Sequence, residues 1–350
     1  MVLGNPICHG IKNCPSFIWQ GGLVFALLVS CFIGLLMGYT PLTAGEVTGV
    51  LFSSGNETAA SEILWSLRLP RILLSLSSGM GLALSGVIMQ ALFRNPMASP
   101  YIMGISSGAS LGVVIVVFLG LGRTVLGTAA MGLGAFAGAF ILSLGVIAAA
   151  GRRSGDTTYL LILGVAMSAV CGGITGVLIY CGAASSGTDI SMYWLMGSVA
   201  FAKAGPAAAL FILVLAMTAF FLTQSRILNL MLVGREGTLP LGRDLKPFFK
   251  VYLLLNALLV GAIVMEAGLI GFVGLIVPHF SRRILGANHK AVVPAAVLFG
   301  GLLTVWADIL GRALIHGVEL PIGVTLAIIG SPLFLLMLVE TAGRRVGEKS

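Results

Sequence analysis

Charged side chains are scarce in this chain of 350 residues. Asp, Glu, Lys and Arg make up 9% of it, whereas hydrophobic residues make up 58%. So little charge cannot cover the surface of a water-soluble protein, so lipid must be the main solvent. A hydrocarbon layer of about 30 Å is crossed by roughly 20 apolar residues in a helix. Windows without charge predict ten spans, at about 17–38, 72–93, 101–122, 128–150, 158–180, 205–224, 248–266, 269–284, 291–310 and 321–341.

The sequence also lacks the alternation of polar and apolar residues that is typical of membrane β-strands. Its apolar residues instead occupy all sides of each predicted helix. The sequence therefore predicts an all-α polytopic membrane protein with about ten transmembrane helices in one domain over residues 1–350. The first window could instead be a cleaved signal peptide. Its apolar core, Phe17 to Met37, is longer than a usual signal core and no clear cleavage site follows, which favours a retained helix.

Motifs for catalysis and cofactors are missing from the sequence. It has no G-x-x-x-x-G-K-[ST], no H-E-x-x-H and no G-x-S-x-G, and its five cysteines form no C-x-x-C. We therefore expect no enzyme, no cofactor and no metal site in this chain. Without a clustered soluble basic domain, no nucleic-acid partner is expected either.

Charge is also absent from the centres of the predicted spans, where ion-coupled carriers usually keep an ionisable residue. This absence disfavours an ion-coupled secondary carrier or exporter working without an ATPase, which is kept as the alternative function. A transporter that lacks a coupling ion needs energy from a partner.

Positive charge is distributed unevenly between the two sides of the predicted bundle. With the N-terminus inside, 15 of the 20 Lys and Arg residues fall in inner loops and 5 in outer loops, and the opposite orientation inverts this bias. Both termini are therefore predicted to be cytoplasmic. The outer five are Arg68, Arg71, Arg123, Lys203 and Arg312. Arg68 and Arg71, in "RLPR", either anchor a helix entrance at the interface or form a docking patch for an acidic partner.

Three other features bear on packing and coupling. Glycine pairs at small-xxx-small spacing, Gly108/Gly112, Gly134/Gly138 and Gly172/Gly176, predict close helix contacts. Pro278 predicts a broken helix in the short span near 267–281. The largest predicted cytoplasmic loop, 225–247, offers a docking surface for a partner.

Two long blocks resemble a known family. The first is "LRLPRILLSLSSGMGLALSGVIMQALFRNPMASPYIMGISSGASLG" (67–112), and the second runs from "GLIGFVGLIVPHFSRRILGANHK" to "GSPLFLLML" (268–338). Both blocks closely resemble the FecCD permeases. These are membrane subunits of type II ABC importers for iron-siderophore, haem and cobalamin. The resemblance implies the type II ABC importer permease fold, a homodimer with one central pathway in the cell membrane, and two ATP-binding cassette subunits that bind ATP and magnesium. It also implies an extracytoplasmic substrate-binding protein.

The resemblance further implies roles for individual residues, and it favours the docking interpretation of the outer arginines. Docking to the binding protein is expected at Arg68, Arg71 and Arg312. Coupling to the ATPase is expected at Gly234, Arg235, Glu236, Thr238, Leu241 and Gly242, where Pro240 disfavours a regular helix. A cytoplasmic gate is expected at Asp156, Thr157 and Thr158. Among cargoes, ferric siderophore ranks first, haem second and cobalamin third.

Overall fold

The computed structural model describes residues 16–38, 40, 42–52, 58–121, 127–150, 157–182, 195–233, 245–315 and 319–347. Within these ranges the chain forms twelve helices, the third of which is π-helical over Ile63–Arg68, together with one short 3-10 helix (Pro100–Met103) and no strand. They are α1 (Ser16–Leu36), α2 (Ala44–Phe52), α3 (Ala59–Leu92), α4 (Ile105–Phe118), α5 (Gly127–Ala150), α6 (Thr157–Gly182), α7 (Ala204–Thr223), α8 (Ser225–Val233), α9 (Lys246–Ala267), α10 (Val273–Leu285), α11 (His289–Ala313) and α12 (Ile322–Gly347).

Ten of these helices, α1, α3 to α7 and α9 to α12, overlap the ten predicted spans. Seven of the described helices are long and apolar enough to cross a membrane, namely α1, α3, α5, α6, α7, α9 and α11. Helix α4 is a shorter apolar helix. Helix α10 has 13 residues, which gives a length of about 20 Å, less than the roughly 30 Å of hydrocarbon. The all-helical fold that the sequence predicts is confirmed.

Helix α3 forms the centre of the bundle and packs against α7, α9, α10 and α11. Close approach depends on glycine, because a Cβ atom on Gly79 would lie 2.3 Å from the carbonyl oxygen of Gly300 on α11. Small residues allow this contact between backbones in lipid. Around Gly79, every described residue of α3 from Ser77 to Leu92 is buried.

A second layer is formed by α4 and α5, and two of the predicted glycine pairs lie in it. Gly108 faces Gly138 and Gly112 faces Gly134, and a Cβ on Gly112 would lie 1.9 Å from the carbonyl oxygen of Gly134. The packing role predicted for these pairs is confirmed. The third pair, Gly172 and Gly176 on α6, has nothing within 4 Å of the position of a Cβ atom, so it makes no such contact in the described part of this chain.

The break between α9 and α10 lies at residues 268–272, and the predicted break at Pro278 is wrong. Helix α10 continues through Pro278. Proline lacks the N–H that would bond to the carbonyl of Gly274, four residues earlier. That carbonyl lies against Gly86 of α3, where a Cβ would be only 1.9 Å from its oxygen. The helix therefore tolerates the proline because α3 offers room for the unpaired carbonyl.

Two other contacts hold the break in place. The hydroxyl of Tyr101 donates a hydrogen bond to the carbonyl of Ile270 at 2.9 Å and accepts one from its N–H at 3.3 Å. Phe272 has a φ angle of 67°, a conformation that is strained for an aromatic residue. Its side chain packs on α12, where a Cβ on Gly330 would lie 2.7 Å from the Cβ and Cγ atoms of Phe272.

Helix α2 covers the C-terminal end of α1. It starts with a capping box, in which Thr43 Oγ1 accepts from the N–H of Glu46 at 3.3 Å and the Glu46 carboxylate accepts from the N–H of Thr43 at 2.8 Å. The bond from the Thr43 N–H, followed by that from its hydroxyl, lowers the pKa of Glu46. The buried Val47 packs with Leu35 and Leu64. These contacts position the end of α1 beside the arginines described next.

Candidate functional site

Three predicted docking residues, Arg68, Arg71 and Arg312, meet at one end of the bundle, which the charge bias assigns to the outside. They line a cavity of about 370 Å³ together with Gly38, Thr40, Ile63, Leu67, Ala200, Phe201 and Glu319. The residues come from α3, from α11, from the connections that follow α1 and α11, and from the segment that precedes α7. Sequence reasoning grouped these arginines only through the resemblance, and the fold brings them into one site.

Asp308 is the centre of an ion-pair cluster in this site. Its Oδ1 atom lies 2.9 Å from both Nε and Nη2 of Arg71, and its Oδ2 atom lies 2.9 Å from Nη2 of Arg312. The Asp308 side chain is only 4% exposed. A buried carboxylate that pairs with two guanidinium groups orients both of them.

Glu319 provides a second carboxylate for Arg71. Its Oε2 atom lies 2.8 Å from Nη1 of Arg71, and its side chain is 29% exposed. The two carboxylates leave the cluster of three arginines with one net positive charge. The i, i+4 spacing of Asp308 and Arg312 is a sequence signal for that pair, whereas nothing in the sequence singles out Glu319.

Arg68 is turned toward the protein interior. Its guanidinium donates hydrogen bonds to the carbonyl oxygens of Leu35, Leu36 and Thr40, at the C-terminal end of α1. The residue is 6% exposed. Arg312 donates to the carbonyl of Met37 at 2.7 Å. The last carbonyls of a helix have no partner within it, so the two arginines cap α1 while they line the cavity.

The other predicted site residues lie at the opposite side of the predicted topology. Thr157 and Thr158 are the first residues of α6, and Thr158 is exposed. Asp156 lies outside the described residues. The coupling residues Gly234, Arg235, Glu236, Thr238, Leu241 and Gly242 also lie outside them, directly after α8.

A polar cluster that sequence reasoning missed joins α8 to α11. Asn229 Oδ1 accepts from the N–H of His289 at 2.9 Å and lies 2.7 Å from Nδ1 of the same residue. A carbonyl oxygen only accepts, so Nδ1 carries the imidazole proton. His289 is fully buried. Helix α8 is the element that precedes the predicted coupling segment in the sequence, and this contact ties α8 to the start of α11.

A neighbouring contact ties α10 to α3. Arg282 donates to the amide oxygen of Gln90, and the Gln90 amide donates to the carbonyl of Leu275 at 3.1 Å. Arg282 also reaches the carbonyl of Val87 at 3.4 Å. The helices that carry the outer arginines, α3 and α11, are thus held by polar contacts at their other ends as well.

Comparison with known proteins shows the family. Residues 26–340 match the sequence profile of the FecCD transport family. The chain belongs to the FecCD transport family. It is 35% identical over 331 residues to the hemin transport system permease protein HmuU of Yersinia pestis, covering 94% of this chain and 98% of that protein. It is 36% identical over 331 residues to the vitamin B12 import system permease protein BtuC of Klebsiella pneumoniae, covering 93% and 95%.

A solved structure supports the same relationship. An inward-facing metal-chelate type ABC transporter superposes with a TM-score of 0.81 at 29% identity, covering 92% of this chain and 98% of that one. The type II ABC importer permease fold expected from the sequence is confirmed. This FecCD chain is a transport permease subunit of an ABC importer and not an enzyme, and ATP hydrolysis belongs to a separate subunit.

Proposed function

We propose that this FecCD permease forms, as a homodimer, the translocation pathway of an ATP-driven importer for a bulky metal chelate or tetrapyrrole. The names of the two relatives, for hemin and for vitamin B12, and the solved metal-chelate transporter support this class of cargo. Ferric siderophore, haem and cobalamin are its members. The bilayer is the cytoplasmic membrane, with both termini on the cytoplasmic side, because 15 of the 20 Lys and Arg residues then lie inside.

The observation that carries the proposal is the convergence of Arg68, Arg71 and Arg312 on one cavity at the predicted outer end. We assign this surface to an extracytoplasmic substrate-binding protein with acidic side chains. Charges at such a rim steer encounter and fix register more than they add affinity. Docking is therefore expected to weaken as salt rises.

At the predicted inner end, two ATP-binding cassette subunits would bind the segment 234–242. Its position directly after α8, which contacts α11 through Asn229 and His289, supports this assignment. Motion of the segment would reach α11 through that contact. The short polar residues Asp156, Thr157 and Thr158 would form the cytoplasmic gate, and the position of Thr157 and Thr158 at the start of α6 is compatible with that role.

Transport by the assembled complex tests the function. The permease is reconstituted in proteoliposomes with its co-purifying ATPase and binding protein, and uptake of hemin, cyanocobalamin and a ferric siderophore is followed by their visible spectra. We expect accumulation of one of them with ATP and none with a non-hydrolysable analogue. Replacement of 234–242 by a Gly/Ser linker should abolish it. Uptake by the permease alone, driven by a proton gradient, would contradict the proposal and establish an ion-coupled carrier.

A further inference from the structure

The docking surface described above is already occupied by the chain's own carboxylates. Arg71 is paired with both Asp308 and Glu319, so an acidic side chain of a partner finds no free guanidinium there. A partner carboxylate must therefore either bind beside the existing pairs or replace one of them. The two carboxylates differ in ways that decide between these possibilities.

Asp308 is built into the fold. Each of its oxygens contacts a different arginine, its side chain is 4% exposed, and the residue lies within helix α11, whose backbone fixes its position. Removing it would take from Arg312 the one ion pair that it makes among the described residues and leave Arg71 with the partly exposed Glu319 alone, at a cost of several kcal/mol. It cannot leave the cluster during docking.

Glu319 has the opposite properties. Among the described residues it makes one ion pair, to a single nitrogen of Arg71; its side chain is 29% exposed, and it lines the cavity. It lies in the connection between α11 and α12, whose backbone is fixed next to it by the bond from the N–H of Leu320 to the carbonyl of Gly311. The Glu319 side chain can therefore rotate into solvent without disturbing the backbone.

We propose that Glu319 occupies the place of a partner carboxylate and is exchanged for it when the binding protein docks. This inference rests on the proposed docking function. The occupant is the carboxylate of a Glu or Asp side chain that projects from the binding protein into the cavity and takes the Nη1 position of Arg71. Asp308 stays in place and keeps Arg71 and Arg312 oriented.

The exchange has a physical advantage. Arg71 is 13% exposed and shares the single charge of Asp308 with Arg312, so without a second carboxylate this pair of arginines would keep an uncompensated positive charge and its desolvation penalty in the free transporter. With Glu319 present, the arginine is neutralised before and after docking, and only the identity of its carboxylate changes. The net Coulomb gain of docking is then small, which lets the binding protein leave after it has delivered its cargo.

The test measures the affinity of the cargo-free binding protein that co-purifies with the wild-type transporter. The permease–ATPase complex is placed in nanodiscs as wild type, Glu319→Gln, Arg71→Gln and the double variant. Glu62→Gln is the matched control, because Glu62 is an exposed carboxylate on α3 and directly precedes Ile63, which lines the cavity. Thermal unfolding of each complex verifies folding.

We expect Glu319→Gln to raise the affinity by about two- to fivefold, the range of a partly exposed ion pair, and to make binding more sensitive to salt. Arg71→Gln should lower the affinity, and the double variant should match Arg71→Gln alone. Suppose that Arg71→Gln lowers the affinity, whereas Glu319→Gln has the same affinity as Glu62→Gln or a lower affinity than wild type. The proposed exchange is then wrong, but the docking surface is supported. If Arg71→Gln leaves binding unchanged, the docking surface itself is wrong.

Discussion

The carboxylate of Glu319 lies 2.8 Å from the guanidinium of Arg71, although 248 positions of the sequence separate the two residues. The contact brings the connection after α11 back over the first half of α3. It closes one side of the cavity whose opposite side is the capped end of α1. The predicted outer end of the bundle is therefore organised around an ion-pair cluster, which the rest of the described structure does not have.

The geometry of the ion-pair cluster predicts that neutralising Asp308 and neutralising Glu319 destabilise the permease to different extents. Asp308→Asn removes a nearly buried carboxylate that two arginines share, and we expect it to destabilise the permease by about 3–5 kcal/mol. Glu319→Gln affects a partly exposed pair and should cost about 1 kcal/mol or less. Unfolding in graded SDS–detergent mixtures measures both. Equal losses would show that Asp308 does not have the central position that the geometry gives it.

Arg68 has a capping role that can be separated from docking. Arg68→Met leaves carbonyls at the end of α1 without donors, and we expect a loss of about 1–3 kcal/mol in the free energy of unfolding. Lys250→Met, at an exposed position, is the control and should have little effect. Binding-protein affinity, measured at a temperature where both variants are folded, then shows whether Arg68 contributes to docking as well. An unchanged stability would rule out the capping role.

The close contact between α3 and α10 predicts that one added methyl group at Gly86 strongly destabilises the permease. Gly86→Ala places a Cβ 1.9 Å from the carbonyl oxygen of Gly274, so the helices must separate and their packing is lost. We expect about 3 kcal/mol of destabilisation, the upper end of the usual range for overpacked sites, because the contact is with backbone. Gly21→Ala on α1, where nothing lies within 4 Å, is the matched control. It should be neutral or slightly stabilising, because alanine favours helix.

The break between α9 and α10 depends on one hydroxyl group. Tyr101→Phe keeps the ring but removes both hydrogen bonds to Ile270, and we expect a loss of about 1–3 kcal/mol because these buried backbone groups lose their partner. Hydrogen exchange of residues 268–272 should increase in the same variant. Tyr180→Phe, at a tyrosine that is 85% exposed, should leave both measurements unchanged. Protection of 268–272 that survives Tyr101→Phe would contradict this prediction.

The inner polar cluster predicts a coupling defect. Asn229→Ala removes the acceptor of the N–H and Nδ1–H groups of His289, so α8 is no longer tied to the start of α11. Binding-protein stimulation of ATPase activity should fall, whereas the basal ATPase rate should change less. Arg226→Ala, at an exposed position of the same helix, is the control. Loss of both rates in equal proportion would point to general destabilisation.

Features that depend on neighbouring residues in one helix could be predicted from the sequence, whereas contacts between distant segments could not. The helices follow from charge-free apolar runs, and the close contacts of Gly108 and Gly112 follow from spacing within one helix. The partners of Arg71 do not follow, because Glu319 meets it only through the packing of α3, α11 and α12. The position of the break near Phe272 was also missed. Pro278 is the stronger local signal for a break. The helix nevertheless continues through it, because Gly86 on another helix leaves room for the carbonyl that the proline cannot bond.

The contact of Phe272 with Gly330 has a consequence for how this sequence can change over time. The positive φ angle at Phe272 goes with a side chain that packs on α12, where only a residue without a Cβ atom leaves room. A substitution at either position alone is therefore harmful, and the two codons are expected to covary among related genes. Lineages that acquire a larger residue at position 330 should first have acquired glycine at position 272, and the order of these two changes should be the same in each.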